Sequence, residues 1–185
     1  SAITVSGSDV YVGGLFTQAG ATEANYMARW DGSQWNSVGS NPGQLTFALA
    51  ASGAHVYVGG LFGAAGDVLA NNVGRLSGGV WSSLGSGVGI GTSANNYVNA
   101  LAVSGNQLYA GGTFTQAGGA SASNMARWDG SQWSNMGPGL PGSGVYALAA
   151  SGSDVYAGGM FAGSSWRNLA HWDGSSWSGI DLHRG

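Results

Sequence analysis

Three arginines recur in the same short context along this chain: Arg29, Arg75 and Arg127, with His171 taking the place once more further on. Asn72, Asn124 and Asn168 lie three residues before the last three of these, and Tyr26 precedes the first. Guanidinium and amide groups repeated in this way are suited to holding a sugar or an anion once per repeat. The same residues also serve as packing and turn residues, since positions kept from repeat to repeat usually maintain the stack. Trp166, beside Arg167, is the one tryptophan outside the repeated context and the best single candidate for an exposed aromatic contact.

Other chemistry has less to work with. Paired carboxylates could make a glycosidase, but Asp31, Asp129 and Asp173 all stand before glycine in a turn, and Asp9 and Asp154 stand in a second turn. Glu23, Asp67 and Asp181 remain as scattered acids. His55, His171 and His183 show no metal-ligand spacing. There is no cysteine, which removes thiolate ligands, cysteine nucleophiles and disulfides together. Gly-rich stretches such as 85–91 lack the Lys-Ser/Thr and helix of a phosphate loop. Neither a catalytic residue, a metal nor a cofactor is expected.

The elements that carry these residues form a four-fold repeat. Val10-Tyr-Val-Gly-Gly-Leu-Phe16 returns at 56–62, 108–114 and 155–161, with first glycines Gly13, Gly59, Gly111 and Gly158 spaced by 46, 52 and 47 residues. Met27-Ala-Arg-Trp-Asp-Gly32 returns at 125–130 and, as Leu-Ala-His-Trp-Asp-Gly, at 169–174; in the second unit it has become Val-Gly-Arg-Leu-Ser-Gly at 73–78. A further tryptophan follows each time, at Trp35, Trp81, Trp133 and Trp177. Each unit reads as four short strands: an apolar first strand, a turn (Ser-Gly-Ser-Asp at 6–9 and 151–154), a second strand with Val-Tyr-Val alternation, a third ending at Trp30, Trp128 or Trp172, and a fourth carrying the last tryptophan. Asp-Gly between the last two is expected to form a two-residue type I′ turn. No helical period is visible.

Short strands repeating every 40–50 residues or so are the signature of propeller blades. The expected fold is therefore all-β and of β-propeller type, with four four-stranded antiparallel blades: 1–41, 42–91, 92–139 and 140–180, and a tail at 181–185. Seven of the eight tryptophans fall at anchor positions, where packing between blades accounts for them. The glycine doublets mark places where a side chain would block close backbone approach.

A Gly-Gly doublet closing the second strand, an aromatic on the third and tryptophan on the fourth resembles the blades of kelch-type and galactose-oxidase-like propellers. The fuller wording, Val-Tyr-Val-Gly-Gly-Leu-Phe and then Ala-Arg-Trp-Asp-Gly-Ser-Gln-Trp, is similar to repeats of large bacterial secreted proteins and of fungal cortical polarity-marker proteins. The resemblance implies an extracellular or cell-surface location and an interaction role. Galactose oxidase needs a tyrosine cross-linked to cysteine at copper, so without cysteine no oxidase activity carries over. Kelch-type propellers normally have six or seven blades, and four suggest self-association or further blades of a parent chain.

Composition narrows the partners. Charged residues are 7% of the chain, the net charge is −3, and lysine is absent; a phosphate-backbone binder needs a dense basic face. No run of about 18 apolar residues is present, so membrane insertion is not expected. With 43% hydrophobic and 11% aromatic residues the chain can bury a core. The sequence thus points to a non-enzymatic surface module for structural assembly or binding of surface proteins, with a glycan-binding lectin, one shallow site per blade, as the alternative.

Overall fold

A computed structural model describes residues 1–39, 44–89, 96–162 and 167–180. The first unit runs β1 (Ala2–Ser6), β2 (Asp9–Gly13), β3 (Gln18–Ala19), β4 (Thr22–Glu23), β5 (Met27–Trp30) and β6 (Trp35–Ser37). The second holds β7 (Thr46–Ser52), β8 (His55–Gly60), β9 (Ala64–Ala65), β10 (Val68–Leu69), β11 (Val73–Ser77) and β12 (Val80–Ser83). In the third are β13 (Tyr97–Ser104), β14 (Gln107–Thr113), β15 (Gln116–Ala117), β16 (Ala120–Ser121), β17 (Met125–Trp128) and β18 (Trp133–Asn135). The fourth consists of β19 (Gly142–Ser151), β20 (Asp154–Ala162), β21 (Arg167–Trp172) and β22 (Trp177–Gly179). The described residues are all-β, and each unit forms one four-stranded antiparallel sheet, β1-β2-β5-β6 and its three counterparts.

Two features depart from the sequence expectation. A two-stranded ribbon (β3–β4, β9–β10, β15–β16) joins the second and third main strands of the first three sheets. Its strands are two residues long, too short to leave a periodic signal. The Asp-Gly turns are also wider than expected. Trp30 pairs with Trp35, so Asp31 to Gln34 form a four-residue loop in which only Gly32 has positive φ. A type I′ turn needs positive φ at both central residues. Asp31 instead accepts bonds from the Ser33 and Gln34 amides at 2.9 Å, which turns the chain through its own side chain. Asp129 and Asp173 do the same. The two-residue turn occurs where the motif had decayed, at Gly78 and Gly79, whose φ values are 56° and 82°.

The sheets stack face to face in chain order, β1 on β7, β7 on β13 and β13 on β19. The first strands lie together along one side, while the fourth strands are further apart. Each sheet therefore has a leading face toward the preceding unit and a trailing face toward the next. Leading Val56, Val58, Leu76 and Trp81 meet trailing Tyr11, Met27 and Val38. Leu108, Ala110, Trp128 and Trp133 likewise meet Val73 and Leu84, and Val155, Ala157 and Trp172 meet Tyr109, Met125 and Met136. Indole N–H groups tie the stack: Trp133 Nε1 donates to the Leu84 carbonyl at 2.7 Å and Trp177 Nε1 to that of Met136 at 2.9 Å.

The glycine doublet has two separate reasons. A Cβ on the first glycine would strike the next sheet: Val98 Cγ1 at 2.6 Å from Gly59, and Val145 Cγ1 at 2.6 Å from Gly111. On the second, Gly60, Gly112 or Gly159, it would strike the backbone of the first strand of its own sheet. That strand is bulged there, between Thr46 and Ala48, Val98 and Ala100, and Val145 and Ala147. Among the described residues β1 and β19 do not pack on one another as neighbouring first strands do. Among the described residues the array therefore has two open ends.

Candidate functional site

Strand pairing sets each repeated cation opposite a tyrosine. Tyr11 pairs with Arg29, Tyr57 with Arg75, Tyr109 with Arg127 and Tyr156 with His171, all on trailing faces. Tryptophan alternates with these positions and points to the leading face of the same sheet. Their surroundings differ from unit to unit. Arg29 Nη1 meets Asp9 Oδ2 at 3.1 Å. Arg75 Nε donates to Ser82 Oγ at 3.1 Å. Arg127 Nε is buried with no acceptor among the described residues. His171 Nε2 lies 2.6 Å from Asp154 Oδ1, and its ring stacks on Tyr156 with centroids 4.7 Å apart.

The first of these constellations opens into a groove. A cavity of about 300 Å³ between the first two sheets is lined by Tyr11, Arg29, Ser37, Val38, Gly39, Leu76, Gly78 and Gly79. It adjoins a wider space of about 490 Å³ reaching Ser6, Ser8 and Asp9. The short Gly78-Gly79 turn carries no side chain to fill this gap, whereas the third and fourth sheets present longer Asp-containing loops there. Burial, reinforced by the charge of Asp9, raises the Tyr11 hydroxyl pKa above its ordinary value, so the groove presents a neutral phenol, a guanidinium and a carboxylate.

The repeated amides are engaged by the fold itself. Tyr26, Asn72, Asn124 and Asn168 all have φ between 60° and 66°, a conformation asparagine tolerates better than most residues. Asn72 Oδ1 accepts from the Phe62 amide at 3.2 Å, and its Nδ2 donates to the Val88 carbonyl at 2.8 Å. Asn124 bonds the Phe114 amide and the Leu140 and Gly142 carbonyls in the same way. Both clip a sheet to the segment leading into the next unit and are buried, while Asn168 on the last sheet is exposed. Trp166, Asp181 and His183 lie outside the described residues.

The turn carboxylates are likewise occupied. Hydrogen bonds from the Gln132 amide and from Ser131 lower the Asp129 pKa to about 2, and the corresponding bonds hold Asp31 and Asp173 well below the carboxylate range. They are ionised acceptors at neutral pH, a poor starting point for a general acid. Among the described residues no three His, Asp or Glu side chains gather into a possible metal site. No family model matches this chain, and no functionally described protein matches it either.

Sequence reasoning missed the end faces. Trp30 and Trp35 were expected in packing between blades, but with Ile3, Val10 and Val12 they line an apolar hollow of about 430 Å³ that no sheet covers among the described residues. Ile3 is 68% exposed, whereas its counterpart Leu49 is 9% exposed. At the other end Tyr156 is 44% exposed and its counterpart Tyr109 3%. Nothing in the repeat could signal this, because all four units carry the same residue types at these positions.

Proposed function

We propose that the four sheets are blades of a propeller-type array and that the chain is a non-enzymatic module for structural assembly and binding, working at a cell surface or outside the cell. What carries the reading is the contrast between its polar and apolar groups. Asn72, Asn124, the turn aspartates and three of the four repeated cations are bonded within the chain, whereas both ends expose apolar faces of the kind buried three times inside it. Contiguous exposed apolar patches mark interaction surfaces. Kelch-like blades of secreted proteins fit the low charge and the absence of lysine. Sedimentation equilibrium of the purified chain tests the assembly role: reversible association supports it, and a monomer at every concentration refutes it.

The groove at Tyr11, Arg29 and Asp9 favours a second reading, a lectin site for a glycan that hydrogen-bonds the guanidinium and carboxylate while lying against the phenol. A glycan array separates the two. Specific binding that Arg29→Ala abolishes supports the lectin; an array without hits, or hits unaffected by that change, removes the groove from consideration.

A further inference from the structure

Each internal junction of the stack uses one device. A leading-face aliphatic residue from the first strand sits over the first glycine of the preceding sheet: Leu49 over Gly13, Leu101 over Gly59 and Leu148 over Gly111, each within 3.4 Å of where a Cβ would stand. The two ends carry the unmatched halves of this device. Ile3 occupies the same register position as those leucines, facing solvent. Gly158 is the fourth glycine, and among the described residues a Cβ there would meet nothing closer than Ala147 Cβ at 3.8 Å. Around it Ala147 and Ala149 are exposed, although their counterparts Ala48, Ala50, Ala100 and Ala102 are all buried.

We propose that the leading face of the first sheet docks on the trailing face of the fourth sheet in a second copy of this chain, with Ile3 seated over Gly158. The partner is argued from continuity: the three junctions inside the chain already join faces of these two kinds, with the same residue types at the same register positions. The hydrogen bonding extends the same way. Trp35 stands where Trp133 and Trp177 donate to Leu84 and Met136, and Ile180 is the equivalent acceptor on the fourth sheet. As at two of the three internal junctions, the Trp35 indole N–H is then placed to donate to the Ile180 carbonyl of the second copy. Such a contact is head-to-tail, joining different surfaces of identical chains. Copies close into a ring if the rotation per copy divides a full turn, and otherwise extend as a filament.

The inference rests on the assembly reading, and one set of variants separates the two. Ile3→Glu spoils only the leading end and Gly158→Glu only the trailing end; both positions lie at the surface, so circular dichroism and thermal midpoint should stay close to those of the parent. Val5→Glu, 61% exposed on the same leading face, repeats the first test independently. By light scattering with size exclusion, the parent chain should run larger than a monomer. Each variant alone should associate at least about 30-fold more weakly, the effect expected for losing the centre of an interface. An equimolar mixture of Ile3→Glu and Gly158→Glu should yield a dimer and nothing larger, because one good end remains on each. A monomeric parent chain overturns both the assembly reading and this inference. An associating parent whose variants keep their mass, or whose mixture stays monomeric, overturns the head-to-tail contact and leaves assembly by another surface.

Discussion

Gly111 and Gly158 hold the same position in adjacent units, and replacing each by alanine separates packing from backbone effects. Neither has positive φ, so alanine is conformationally acceptable at both. At Gly158 the new methyl's nearest neighbour among the described residues lies at 3.8 Å. Only the lost freedom of the unfolded chain remains, which stabilises by about 0.4–1 kcal/mol. At Gly111 the methyl arrives 2.6 Å from Val145 Cγ1 and 3.1 Å from Leu148 Cδ1. Ordinary carbon contacts need about 3.5–4.0 Å, so the fourth sheet must shift by roughly 1 Å at its inner strand. Overpacking of that kind costs about 1–3 kcal/mol. For 185 residues, each kcal/mol moves the thermal midpoint by about 2–4 °C. Gly111→Ala should therefore melt several degrees lower and Gly158→Ala slightly higher than the parent, measured by calorimetry in an Ile3→Glu background so that docking does not contribute. Equal losses at both positions would refute the assignment of the first glycine to contact between sheets.

Three further outcomes follow from the same geometry. Asn124→Ala strands the Phe114 amide and the Leu140 carbonyl and forces alanine to a φ of 60°; denaturant unfolding should show a loss of about 2–4 kcal/mol, against little change for the exposed Asn168→Gly. Trp133→Phe removes the donor to Leu84 and should cost about 1 kcal/mol more than Trp81→Phe, because the buried Trp81 Nε1 has no acceptor among the described residues. For the turn aspartates the native pKa lies below the unfolded value of about 3.9, with Asp129 at about 2. Their contribution is complete above the unfolded value and is lost as pH falls through the native one. The thermal midpoint of an Asp31→Asn, Asp129→Asn, Asp173→Asn variant should consequently fall less than the parent's between pH 4 and pH 2, and parallel curves would show that these carboxylates do not stabilise their turns.

Much of the architecture could be read from residue types alone. The recurrence of Val-Tyr-Val-Gly-Gly and of tryptophan at 30 and 35, 128 and 133, and 172 and 177 defines four equivalent sheets, because strand alternation commits each side chain to a face once one partner is known. The glycine doublet was legible as a site of close approach, though not that its two members face different neighbours. The Asp-Gly loops were misread because glycine's tolerance of positive φ suggests a tight turn, whereas Asp31 closes a longer one through its carboxylate. For Asn72 and Asn124 the sequence left ligand binding and a structural role both open, and only the backbone showed the φ of 60° and the carbonyls of the following segment that their side chains bond.

What residue types could not convey is position in the stack. A repeat assigns the same identity to Ile3 as to Leu49, and to Gly158 as to Gly111, since local propensity and hydrophobic pattern depend only on near neighbours in the chain. Whether such a residue is buried depends on whether another sheet lies against it, a contact between segments some fifty residues apart. Only the assembled stack distinguishes the inner faces, where these residues form the core, from the two ends, where the same chemistry becomes a surface open to a partner.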